Sequence, residues 1–185
     1  MSVDDPEWAT QNRVVALFRD ELGYRYFGDW THREENSNIE EDHLRAHLST
    51  SGYAPAQIDR AIFLLKSAAD SPQGGLYDAN RKVYELLRYG AKVKVEAGDN
   101  TETVHLVNWD EPEKNDFAIA EEVTLRGNHE RRPDIVLYLN GIAVAVIELK
   151  NSRVSMGDGI RQLISNQRPD FNQWFFSTVQ FVFAG

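Results

Sequence analysis

The 185-residue chain has no cysteine. That excludes disulfide frameworks, thiolate zinc sites and cysteine nucleophiles, and it fits a reducing cytosol. No apolar run approaches the roughly 18 residues a membrane span needs, and the Asp- and Glu-rich N-terminus is not that of a signal peptide. A soluble, cytoplasmic protein with no membrane partner is the expectation. The chain also lacks a G-x-x-x-x-G-K-[ST] loop for nucleotide phosphates, an internal repeat and a low-complexity tract. Its five histidines show no ligand spacing, and no serine lies in a nucleophile-elbow context. Net positive charge is missing too: the formal charge is -9, which argues at first against nucleic acid, whose affinity comes largely from basic side chains. The distribution changes this picture. Between Arg126 and Arg168 seven basic residues face four acidic ones, a local balance of +3 that leaves -12 for the remainder. A mildly basic region on an acidic body suits a protein that touches DNA locally and does not scan it alone.

What the chain does contain is a mixed α/β pattern. Asp5-Pro6-Glu7 supplies an N-cap, a proline at N1 and an acid in the first turn, and Trp8, Gln11, Val15, Phe18 and Leu22 then follow helical spacing. A helix over 6–22 is predicted, stopped by Gly23. Glu7 and Gln11 lie one turn apart on its inner side, although Glu7 also simply complements the helix dipole. The aromatic stretch from Tyr24 to Trp30 suits a short strand or a packed loop. Residues 37–90 read as a small helical insertion: Ser37 and Glu40 have capping-box spacing, Pro55 starts a second helix, and Gly90 ends a third. From Ala91 the period becomes two, with an antiparallel pair through Val93, Val95, Val104 and Leu106, then a strand from Phe117 to Leu125. A helix over 157–167, with Ile160, Leu163 and Ile164 inward, and a strand over 178–183 complete the pattern. The core is expected to span about 91–185 together with helix 6–22.

The most informative stretch is Arg132 to Lys150, two apolar strands flanking Asn140-Gly141, the strongest short hairpin signal. Asp134, Glu148 and Lys150 stand at the outer ends of these strands. Glu148 and Lys150 are two apart and so share a face. Hydrolysis of a phosphodiester needs an activated water and charge stabilisation at the phosphate, both of which a divalent metal supplies. Asp134 and Glu148, with the Leu149 carbonyl, are candidate oxygen ligands for Mg²⁺, and Lys150 is placed to orient hydroxide and meet the phosphate. The turn decides whether this site forms. In a plain two-residue loop Asp134 faces Ile147, on the side of the sheet away from Glu148. A three-residue loop, Leu139-Asn140-Gly141, with a G1 bulge sets Asp134 opposite Val146 and puts all three charges on one face. An odd loop or an equivalent bulge is therefore predicted. A solvated pair of strand-end charges remains the alternative, since P-D-x13-E-x-K alone is a short pattern.

Asp134 with Glu148-Leu-Lys150 resembles the PD-(D/E)xK nuclease motif. The wider wording is similar to the N-terminal nuclease region of the R (restriction, motor) subunit of type I restriction-modification enzymes. It includes Leu22-Gly-Tyr24, Tyr84 to Gly90, Asn115-Asp-Phe117, Arg132-Pro-Asp134, Val146 to Lys150 and Phe175 to Phe181. The resemblance implies a restriction-endonuclease-like core, a mixed sheet flanked by helices, in a Mg²⁺-dependent DNA endonuclease. It implies double-stranded DNA and the modification and specificity subunits as partners, with ATP used only by a motor beyond residue 185. The 185 residues then read as an N-terminal endonuclease fragment with low activity alone. Carried over, Asp134 and Glu148 match metal ligands and Lys150 the catalytic lysine. Gln162 matches the glutamine of Q-x-x-x-Y, with Asn166 where tyrosine is expected. Glu7 is the candidate for the acid on the first helix, and Gln11 the second choice. Arg132, Arg153 and Arg161 are the candidate DNA contacts. A non-catalytic docking module of the restriction complex, or another PD-(D/E)xK enzyme such as a repair nuclease, are the competing readings.

Overall fold

The computed structural model describes residues 7–70, 74–95, 100–127, 129–149 and 156–185, without the side chains of Glu7 and Met156. Lys150 and Arg153 lie outside the described residues. Helix α1 (Glu7–Ala16) runs into a π turn, Leu17–Glu21, closed by Leu22 N–H on the Leu17 carbonyl at 3.0 Å. It turns Gln11 and Val15 inward and leaves Trp8 66% exposed, so the apolar stripe is narrower than its spacing predicts. The aromatic stretch forms strand β1 (Arg25–Asp29). Helices α2 (Glu41–Thr50), α3 (Pro55–Ala69) and α4 (Gly75–Tyr89) follow. Helix α2 begins after Glu40, not at Ser37, although the Glu40 carboxylate does reach back to the Ser37 N–H.

Strands β2 (Ala91–Val93) and β3 (Glu102–Val104) pair antiparallel as a separate ribbon. The main sheet holds β1, β4 (Phe117–Glu121), β5 (Ile135–Leu139), β6 (Ile142–Glu148) and β7 (Phe181–Ala184) in the order β1-β4-β5-β6-β7. The three central strands are antiparallel, and β1 and β7 run parallel to their neighbours. Between β6 and β7 come α5 (Met156–Asn166) and the short α6 (Gln173–Phe176). The fold is thus mixed α/β, a five-stranded sheet flanked by helices, consistent with a PD-(D/E)xK-like core. Strand β4 ends four residues before its predicted limit because Glu122 takes φ = 52°, breaking the extended run. In α5 only Leu163 is buried as predicted; Ile160 and Ile164 are exposed.

The sheet has two apolar faces. Ala120, Val136, Ala143 and Val146 pack with Leu163, Phe175 and Phe176, whereas Ile119, Ile135 and Ile147 pack with Val15 and Phe18. At the turn end of the hairpin, Leu139, Ile142 and Val144 join a third core formed with α2, α3 and α4.

The turn is two residues, not three. Leu139 pairs with Ile142, and Asn140 and Gly141 take φ of 54° and 84°, as a type I′ turn requires. The buried Asn140 side chain donates to the Leu106 carbonyl and to Asn115 Oδ1, both at 2.9 Å, and accepts from the Asp116 N–H at 2.7 Å. Gly141 lies against α2: a Cβ there would come within 2.7 Å of the Glu40 carbonyl and 2.9 Å of Leu44 N. Gly141→Ala is expected to lower stability by about 2 kcal/mol or more through left-handed strain plus overlap. Chemical denaturation checks this, and an unchanged midpoint would contradict this role of the turn.

The extra residue is in the strand. Tyr138 pairs with Ala143 but Leu137 pairs with Ala145, so Val144 is a β-bulge. Ala143 and Val146, three apart, therefore share one core, which plain alternation forbids. Around the bulge, backbone groups of Ala143 and Val144 are bonded to partners outside β5. Ala143 N–H donates to the Asn38 carbonyl at 2.9 Å, its carbonyl accepts from the Thr178 hydroxyl at 2.8 Å, and the Val144 carbonyl accepts from Gln180 N–H at 2.8 Å. These three bonds hold the register in place.

Candidate metal centre

The bulge sets the register at the far end of the hairpin. Val136 pairs with Val146 and Ile135 with Ile147, so the next step places Asp134 opposite Glu148. Both then lie on the α5 face, the face of Val136 and Val146. Asp134 Oδ2 accepts the Leu149 N–H at 2.5 Å, tying the aspartate across the strand ends. Glu148 is 1% exposed, and its Oε1 accepts a hydrogen bond from Gln162 Nε2 on α5. The structure thus brings together Asp134, Glu148, Gln162 and the backbone of Leu149. Among the described residues no group of three or more acidic or histidine side chains could hold a metal. The oxygens on offer are two carboxylates and a main-chain carbonyl, the hard donors that Mg²⁺ takes alongside water.

The other predicted residues are placed differently. Gln11, 8% exposed, does not join this pair; its Nε2 donates to Glu121 Oε2 and Glu122 Oε1, each at 3.0 Å. Tyr26 donates to the other oxygen of Glu121, and burial with that carboxylate beside it raises the phenol pKa well above its ordinary value. These residues knit α1 and β1 to the end of β4. Arg132 is paired with Glu122 at 2.7 Å, and Arg161 with Asp158 one turn earlier on α5. Two of the three arginines chosen for DNA contact are therefore already engaged by carboxylates. Arg132 and Arg131 are adjacent arginines in an extended segment, and the sequence gives no sign of which one is paired.

Arg131 is the neighbour that was not singled out. Its Nε donates to Asn166 Oδ1 at 3.0 Å, its Nη1 to the Glu130 carbonyl at 3.2 Å, and its guanidinium carbon lies 4.4 Å from the Phe171 ring centroid. Helix α5 thus carries Gln162 on Glu148 and, one turn later, Asn166 on Arg131.

The family model described as type I restriction enzyme R protein N terminus matches residues 6–185. A putative type I restriction enzyme MjaIXP endonuclease subunit from Methanocaldococcus jannaschii is 32% identical over 162 residues, covering 80% of this chain and 15% of that protein. The type I restriction enzyme HindI endonuclease subunit of Haemophilus influenzae is 35% identical over 92 residues, 48% of this chain and 9% of that protein. The chain spans only a small part of the length of these relatives. It belongs to the family of type I restriction enzyme R protein N-terminal regions.

Proposed function

We propose that the chain is the Mg²⁺-dependent nuclease region of a type I restriction enzyme R subunit. It hydrolyses DNA phosphodiester bonds after ATP-driven translocation by a motor elsewhere in the longer protein. The observation that carries this reading is the Val144 bulge, which aligns Asp134 with Glu148 beneath Gln162. A structural role needs no such alignment, since two carboxylates placed across a strand pair repel each other. Asp134, Glu148 and the Leu149 carbonyl would hold the ion, which would supply polarisation of a phosphoryl oxygen and a water of lowered pKa. Gln162 fixes the orientation of the Glu148 carboxylate, as outer partners of metal ligands do. Lys150, two residues after Glu148, meets the phosphate oxygens and orients the attacking water. Double-stranded DNA is the substrate, and the modification and specificity subunits are the assembly partners.

Titrating Mg²⁺ or Mn²⁺ into the wild-type protein and Asp134→Ala tests the site directly. Heat of binding is expected for the wild type and not for the variant; equal binding would favour a non-catalytic docking role. Gln162→Ala, which leaves both carboxylates in place, is expected to weaken metal affinity by about 10- to 100-fold. Unchanged affinity would remove its orienting role.

A further inference from the structure

We infer that Arg131 is a DNA-phosphate contact of this nuclease site, held in place by Asn166 as a positioning residue. The inference rests on the nuclease reading and deepens it. Its first support is charge. Arg126, Arg132 and Arg161 each face a carboxylate, on Glu34, Glu122 and Asp158 respectively. Among the described residues Arg131 makes no ion pair. Its three partners are an amide oxygen, a backbone carbonyl and an aromatic face, all formally neutral. They fix the guanidinium without cancelling its charge, which prepares it for an anion and reduces the ordering entropy of binding.

Position is the second support, from two independent tethers. Along the strand, Leu125 and Arg131 exchange backbone hydrogen bonds at 2.7 and 3.1 Å, Val123 N–H donates to the Pro133 carbonyl and Glu122 N–H to that of Asp134. Residues 131–134 therefore continue β5 outward, and three extended steps place Arg131 about 10 Å from Asp134. Along α5, Asn166 stands about 6 Å of helix rise beyond Gln162, which touches Glu148. Helix and strand converge on the same edge of the carboxylate pair. At about 3.4 Å of helix axis per phosphate of one strand, that separation spans no more than about three nucleotides. The cation reaches a phosphate flanking the bond at the carboxylates.

Asn166 supplies the third support. It is 0% exposed, yet its Nδ2 has no hydrogen-bond partner among the described residues. A buried unpaired amide donor is destabilising by about 1 to 3 kcal/mol, and a leucine of similar size would avoid that. Stability does not account for Asn166; its Oδ1 on Arg131 does.

The test is binding of a fluorescent short DNA duplex to the full-length subunit, by anisotropy, between about 50 and 200 mM salt. Arg131→Gln is expected to weaken binding about tenfold and to reduce the slope of log K against log salt by about 0.9, the loss of one phosphate contact. Arg131→Lys retains the slope. Asn166→Asp removes no cation but places a carboxylate on the guanidinium, so its slope falls as in Arg131→Gln. A wild-type slope in Arg131→Gln overturns the phosphate contact, and a wild-type slope in Asn166→Asp overturns the positioning role. If a thermal melt shows Arg131→Gln unfolded, the comparison of Asn166→Asp with wild type decides alone. Cleavage by the wild type and by Asp134→Ala in Mg²⁺, assayed separately, reports on the nuclease reading independently of these slopes.

Discussion

Inserting one alanine between Val146 and Ile147 is expected to abolish DNA cleavage although Asp134, Glu148 and Gln162 all stay in the chain. The insertion moves the end of β6 by one residue against β5, and such a slip takes a strand's side chains to the opposite face. If the turn end holds its place, Val146 keeps the core it shares with Phe175 and Phe176, and Glu148 turns towards the apolar side of Ile135, Ile119 and Val15. If the carboxylate end holds instead, the bonds of Ala143 and Val144 to Asn38, Thr178 and Gln180 are lost. Either outcome destabilises by about 3 kcal/mol or more, from a misplaced carboxylate or several orphaned backbone groups. Cleavage falls at least about a thousandfold if several kcal/mol of charge stabilisation depend on the pair. Val144→Ala is the informative control. It shortens a half-buried side chain, with an expected loss of about 1 kcal/mol, and keeps the residue count and therefore the register. Cleavage by Val144→Ala near the wild-type rate, with none by the insertion, would show that the site depends on the register and not on the chemistry of Val144. Cleavage by the insertion variant would remove the register from the account.

The hairpin, its turn residues and the need for an odd count were legible because side-chain alternation is a strict geometric rule. Where the extra residue sits was not. A G1 bulge at Gly141 and a bulge at Val144 both bring Asp134 to the face of Glu148, and local sequence does not separate them. The choice is made by distant partners: α2 against Gly141, and Asn38, Thr178 and Gln180 around Ala143 and Val144. The bulge is the better solution, since it sets Asp134 directly opposite Glu148 and not two residues away. The helices were legible from their periodicity, but the depth to which they sink was not: Trp8, Ile160 and Ile164 fit an apolar stripe and still face outward. Arginine partners were the least legible. Arg131 reaches Asn166 on α5 and Phe171, whereas Arg132 meets Glu122, the residue at which β4 breaks.

Asp134→Ala carries the second large expectation. The aspartate contributes one of two carboxylates on the shared face, and its Oδ2 also accepts the Leu149 N–H, fixing the carbonyl proposed as a third oxygen. Its removal takes away a ligand and loosens another, while the strand pairing from Ile135 onward is untouched. Glu148 and a carbonyl alone leave a divalent ion with little charge compensation, so binding weakens beyond the loss expected of Gln162→Ala. Loss of several kcal/mol of transition-state stabilisation corresponds to about a thousandfold in rate. The motor is proposed to lie elsewhere in the longer protein, so its ATP hydrolysis serves as an internal control for assembly. The most direct measurement is double-strand DNA cleavage in Mg²⁺ by the assembled full-length enzyme carrying Asp134→Ala, with ATP hydrolysis followed in the same reaction. The prediction is that cleavage falls about a thousandfold while ATP hydrolysis continues; cleavage at the wild-type rate would contradict the metal centre at Asp134 and Glu148.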